Sequence, residues 1–180
     1  PDRIEYSIMV DNRTRLNALL GGQIDLAILS GREQEEAERA GFTTVGKPGL
    51  TYLVLYLNRA KSHFGDRRVR QALNHAVDRQ SMIDVVLQGA GTPTVQPFPE
   101  GYWAYNPDYP ADYYQYDPDR ARELLAEAGL EDGFSFEMLV PTTPTSEQLA
   151  EIVMAQLEEV GITAEPYPVE AAQTADVYYA

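Results

Sequence analysis

With 180 residues, 44% of them hydrophobic and 23% charged, the chain is long enough to bury a core and has an ordinary globular composition. The 14 Lys and Arg against 28 Asp and Glu leave a formal net charge of -14, a field that repels phosphate backbones and anionic bilayers and so argues against nucleic acid as a partner. Cysteine is absent, which excludes disulfides and thiolate metal sites, and no apolar run reaches the roughly 18 to 20 residues of a membrane-spanning helix.

Residues 4–10 alternate as a strand does. Asp11 or Asn12 is placed to cap a short helix through Leu16, Leu19 and Leu20, which Gly21 and Gly22 end. Residues 24–29 are apolar at nearly every position apart from Asp25, the pattern of a strand covered on both faces. Residues 32–40 predict a polar, Glu-rich helix stopped by Gly41, so the opening reads β-α-β-α. After a break at Lys47-Pro-Gly49, residues 51–57 are dense in strand formers (Tyr52, Leu53, Val54, Leu55, Tyr56).

From Asp66 the period changes. Val69, Ala72, Leu73, Ala76 and Val77 fall on one helical face, with Asp66 as the N-cap and arginines opposite. A second short helix is expected over 81–87, followed by Gly89 at a position suited to positive φ. Residues 92–116 hold five prolines, six tyrosines and Trp103, a density that predicts an ordered surface loop and favours packing over a ligand or partner role. Asp117-Pro118 is an N-cap and first-turn proline; Ala121, Leu124, Leu125 and Ala128 form that helix's buried face, and Gly129 ends it. A strand over 134–140, a helix capped by Ser146 and closed by Gly161, and strands over 162–169 and 175–179 complete the chain.

Motifs for chemistry are sparse. His63 and His75 are the two histidines, and His75 borders an apolar helix face, which favours a packed or surface role. There is no Gly-x-Ser-x-Gly elbow, His-Glu-x-x-His or Cys-x-x-Cys, and the acids of 100–112 lack calcium-loop spacing. Gly89-Ala-Gly91 follows a helix and leads toward Pro93, so it reads as a C-cap and turn, not a phosphate cradle. Arg67, Arg68, Arg70 and Arg79 are expected on a solvated face with local ion pairs to Asp66, Asp78 and Asp84. Asn12-Arg-Thr14 matches a glycosylation sequon, which the helix beginning there explains better.

Several stretches, taken in order, resemble one family. They are Leu16-Asn-Ala-Leu-Leu-Gly-Gly-Gln-Ile-Asp-Leu-Ala27, residues 48–58, Phe64-Gly-Asp-Arg-Arg-Val-Arg-Gln-Ala-Leu-Asn-His-Ala-Val-Asp-Arg79, Gln88-Gly-Ala-Gly91, Tyr102-Trp-Ala-Tyr-Asn106 and residues 116–134. Together they resemble the extracytoplasmic solute-binding proteins of ABC importers in the peptide- and nickel-binding family (family 5), most of all its dipeptide- and oligopeptide-binding branch. The resemblance implies an α/β, periplasmic-binding-protein-like type II lobe, a mixed sheet flanked by helices, present here incompletely. It implies that 1–47 belong to a first lobe, 48–57 form a hinge strand and 58–180 build the second lobe.

Its functional content is a two-lobed clamp that closes on a peptide-like solute and delivers it to ABC permease transmembrane subunits, without catalysis, cofactor or metal. Such a device needs only a ligand that prefers the closed state by a few kcal/mol. The implied location is extracytoplasmic, periplasmic or at the cell surface, with membrane attachment only through a lipid anchor or the permease. Implied ligand-binding residues are Tyr56 on the crossover strand, Thr142, Thr145 and Ser146 in the loop after Val140, and Tyr179 on the closing strand. Two departures from the family pattern stand out. Residues 141–148 contain no basic residue where dipeptide binders hold the ligand carboxylate with an arginine. The family's acidic anchor for a peptide amino group falls beyond Ala180, so ligand binding by these residues alone is expected to be weak or undetectable. From the opening at Pro1-Asp-Arg-Ile-Glu5 we read a piece whose targeting segment lies upstream. Two other readings stand beside this one: the sensing domain of a transcriptional regulator built on the same fold, and a hydrolase using paired carboxylates.

Overall fold

The computed structural model describes residues 2–29, 31–45, 52–60 and 62–179; the break at Lys47-Pro-Gly49 and Thr51 lie outside them. The chain divides into two compact units, Pro1–Pro48 with Leu87–Gly91, and Gly49–Val86 with Thr92–Ala180.

In the first unit, α1 (Asn12–Leu20) begins at Asp11, whose carboxylate accepts the Thr14 N–H at 2.7 Å. This bond holds the Asp11 carboxyl below its usual pKa. The second helix, α2 (Arg32–Arg39), meets the first through Leu16, Leu19 and Ala37, with Ile24, Ala27 and Leu29 packed alongside. Arg13 forks onto the Glu36 carboxylate at 2.5 and 2.9 Å, a bidentate tie between the helices. The two expected strands of this unit form no ladder among the described residues, and Asp25 sits in a bend. A helix closes its hydrogen bonds internally, whereas a strand needs a neighbour. Tyr6, Ile8 and Val10 accordingly stand 90, 96 and 91% exposed. Arg15 anchors the end of this segment by donating to the Met9 carbonyl at 2.7 Å.

The second unit carries the larger core. Its elements are α3 (Arg67–Ala76), α4 (Arg79–Val86), α5 (Pro118–Glu127), β1 (Phe134–Pro141), α6 (Pro144–Glu158), β2 (Ile162–Val169) and a short terminal helix, α7 (Thr174–Tyr179). The apolar faces read from the sequence are the buried ones: Val69, Ala72, Leu73 and Ala76 of α3, and Ala121, Leu124 and Leu125 of α5. They pack with Leu157 of α6 and with Met138, Val140, Ile162 and Ala164 of the strands. Asp66 and Asp117 cap their helices as expected, accepting the N–H groups of Arg68 at 2.8 Å and Arg120 at 2.9 Å. The Arg68 side chain and N–H together hold the Asp66 carboxyl down to about 2.

β1 and β2 run parallel, in register from Phe134 opposite Ile162 to Pro141 opposite Val169. Glycine is required where they start. Gly133 has φ 78, and a Cβ there would lie 1.9 Å from the Gly161 carbonyl oxygen. Residues 52–57, expected within the strand 51–57, form no ladder among the described residues.

Three local expectations are corrected. Helix α6 is capped by Thr143, not Ser146: the Thr143 hydroxyl accepts the Ser146 N–H at 3.2 Å and Pro144 takes the first helical position. The terminal segment is helix α7, not a strand. Val177 and the tyrosines favour strands, but with no strand beside it among the described residues the backbone satisfies itself helically. Arg79 does not pair with Asp78 or Asp84. It is half-buried, donates to the Asn74 carbonyl at 3.1 Å and the Asn74 Oδ1 at 2.6 Å, and burial lowers its pKa. The Asp78 carboxylate instead accepts the Gln80 and Ser81 N–H groups at the start of α4.

The aromatic segment is an ordered loop. Gln96 holds it from inside: its Nε2 donates to the Asn106 and Tyr109 carbonyls at 2.9 and 2.7 Å, and its Oε1 accepts the Asn106 N–H at 2.9 Å. The return is fastened to α3, where His75 Nδ1–H donates to the Gln115 carbonyl and the His75 carbonyl accepts the Asp117 N–H, both at 2.8 Å.

Candidate ligand-binding corner

In a parallel sheet the carboxyl ends of neighbouring strands lie together, and ligands of open α/β folds bind just outside them. Here Pro141 and Val169 close the two strands side by side. The Thr142 N–H continues the ladder one step by donating to the Val169 carbonyl at 2.9 Å, and the Thr143 N–H turns back to the Pro141 carbonyl at 2.8 Å. Thr143 then caps α6 and donates its hydroxyl proton to Ser146 Oγ at 2.9 Å. Proline at position 144 opens the helix and contributes no N–H of its own.

Within this corner the Thr142 hydroxyl is buried and has no hydrogen-bond partner; Arg15 Nε is the other such atom among the described residues. Leaving a buried polar group unpaired costs about 1–3 kcal/mol. The α6 N-terminus beside it carries the positive end of the helix dipole and leaves the Thr145 N–H without an intrahelical acceptor. The corner therefore offers an uncharged hydroxyl and a dipole end to a polar or anionic ligand group. Two exposed carboxylates adjoin it in the chain, Glu147 in the first turn of α6 and Glu170 just past β2, and among the described residues no cluster of three or more His, Cys, Asp or Glu could hold a metal ion.

Of the residues implied as ligand-binding, Thr142, Thr145 and Ser146 all fall in this turn. Thr145 is exposed and Ser146 half-buried, its backbone and hydroxyl engaged by Thr143. Tyr56 lies in the segment 52–57, outside any ladder, and is 61% exposed. Tyr179 belongs to α7 by its backbone, and its side chain lies outside the described residues. Sequence reasoning missed Thr143, which organises the corner. The Thr143-Pro144 pair was the available signal, being the same cap-then-proline pattern that identified Asp117-Pro118.

The family model for bacterial extracellular solute-binding proteins, family 5, middle region, matches residues 1–179, and the chain belongs to that family. Heme-binding protein A of Haemophilus influenzae is 35% identical over 183 residues, covering 94% of this chain and 32% of its own. The structure of HbpA2 from Haemophilus parasuis superposes with a TM-score of 0.83 at 31% identity, covering 96% of this chain and 35% of that one. The ABC transporter-associated periplasmic binding protein DppA from Helicobacter pylori, in complex with the peptide STSA, gives a TM-score of 0.71 at 31% identity, covering 91% of this chain and 32% of the other. The chain thus spans about a third of the length of these relatives, and its α/β architecture is that of the periplasmic binding proteins.

Proposed function

We propose that this chain is part of the extracytoplasmic substrate-binding component of an ABC importer, which takes a peptide-like solute and hands it to a membrane permease. On this reading 1–47 belong to one lobe, 48–57 to the strand that crosses between lobes, and 58–180 to a second lobe. The chain acts by binding and hinge motion, with no bond made or broken. The protein works outside the cytoplasm, reaching the membrane through the permease or a lipid anchor.

The observation that carries the reading is the unpaired, buried Thr142 hydroxyl where two parallel strands end beside the α6 N-terminus, in a chain whose family is one of solute-binding proteins. A peptide carries carboxylate and carbonyl oxygens that such a hydroxyl and helix end would receive. The peptide-bound relative favours that solute class, while the heme-binding relative makes heme the competitor to include. The absence of a basic residue over 141–148 argues for recognition of the peptide by neutral donors there.

Amide-resolved NMR titration with millimolar tetrapeptide, heme and maltotriose tests this. Tetrapeptide is expected to move the Thr142, Thr143 and Thr145 amides, and Thr142→Val to abolish that response. Peptide shifts confined to other regions, or a larger response to maltotriose at these amides, would overturn the reading.

A further inference from the structure

The corner leaves the aromatic loop unused, and the loop contains the chain's one tryptophan. Trp103 is 86% exposed, although the loop that bears it is tightly organised. Successive turns close through Tyr102 N–H to the Pro99 carbonyl at 3.1 Å and Tyr105 N–H to the Tyr102 carbonyl at 3.0 Å. The three hydrogen bonds of Gln96 brace the following stretch. Tyr102 itself is stacked on Phe98, with ring centroids 5.3 Å apart and planes within 8°, and Trp103 adjoins Tyr102 at 5.9 Å. Phe98 and Tyr102 hold one another, leaving the indole presented from a fixed base. A single exposed apolar residue is ordinary on a protein surface. An exposed tryptophan on a braced loop is less so, because a partner engaging it has little loop entropy to remove.

Charge narrows the partner. Residues 92–116 contain Glu100, Asp108 and Asp112 and no Lys or Arg, and all three acids are exposed. An anionic or lipid-headgroup surface is disfavoured by that sign. A cation is favoured twice, by the carboxylates and by the face of the indole, the best of the side-chain rings for a cation. Guanidinium suits both kinds of group, since it stacks flat on an aromatic ring and forks onto carboxylates. We propose that the Trp103 face of this loop is a docking surface for a protein partner that presents arginine, a role independent of the solute-binding corner.

The chain has one tryptophan, so its fluorescence reports on this ring alone. Titration with a tetra-arginine peptide, acetylated and amidated at its ends, is expected to change the Trp103 emission saturably. Anisotropy of a fluorescein-labelled copy should show roughly three- to fivefold weaker binding to Trp103→Leu, which keeps apolar area but removes the π face. Gln96→Ala, which keeps Trp103 but loosens its base, should also weaken binding, while Glu35→Gln, on α2 in the other unit, should not. Circular dichroism establishes that each variant is folded. The proposal fails if the Trp103 emission is unmoved at saturating peptide, or if Trp103→Leu binds as tightly as the parent. It fails equally if Glu35→Gln weakens binding as much as Trp103→Leu, which would mark attraction to net charge alone. An equal emission change with phosphatidylcholine vesicles and no peptide would replace it with a lipid-facing role.

Discussion

The two units contain strand sequences of similar quality and treat them in opposite ways. In the second, residues 134–141 and 162–169 pair in parallel and send Met138, Val140, Ile162 and Ala164 into a core shared with three helices. In the first, residues 4–10 alternate as well, yet Tyr6, Ile8 and Val10 remain in solvent, and among the described residues only Leu16, Ala18, Leu19 and Ala37 are buried. The difference lies in the availability of a neighbour. Helix α6 links its two strands and packs on both, supplying the crossover that parallel pairing demands. The first unit has helices of its own but no described strand pair for them to cover.

This contrast can be tested at its strongest point first. Leu125→Ala, at a side chain only 2% exposed in the second unit's core, should cost about 2–5 kcal/mol in chemical denaturation. A loss under 1 kcal/mol would mean that the core is looser than its contacts indicate. Gly133→Ala should cost about 1–3 kcal/mol, through strain at positive φ and collision with the Gly161 carbonyl, and hydrogen exchange should show the loss at the β1–β2 ladder. A neutral result would show that the strands can separate at their start without penalty.

The acid limb sharpens the comparison further. The Asp66 carboxyl is held down to about 2 in the folded state against an ordinary 3.8. Its stabilising contribution is complete above the unfolded value and is lost as pH falls from about 3.8 toward 2. NMR titration should place its midpoint near 2, and Asp66→Asn should flatten that part of the stability profile. The smallest effect is expected at Ile8→Ser, within about 0.5 kcal/mol, since nothing packs on that exposed side chain to be lost. A large destabilisation there would show that residues 4–10 are covered in solution.

Legibility in the sequence follows the same division. Helices α1, α3 and α5 were readable because their signals are local: an aspartate cap and apolar residues at helical spacing in each, with a glycine beyond the end of α1 and α5. Strand pairing was not, because the alternation of residues 4–10 carries no information about a partner elsewhere in the chain. Tyr178 and Tyr179 misled for a related reason, strand propensity being a preference for a half-buried pleat and not for a backbone conformation as such. In the corner, Thr142 and Ser146 were placed by family resemblance; the buried, unpaired state of the Thr142 hydroxyl is a property of packing that no spacing encodes.

The fastening of the aromatic loop to α3 through His75 has an evolutionary corollary. Because the return is secured to α3 at Gln115 and Asp117, insertions that spare the stretch braced by Gln96 would add mainly closure entropy, about 0.6 kcal/mol for each doubling of length. Lineages can therefore diversify this segment, in length and in what it displays, while inheriting the helical scaffold unchanged.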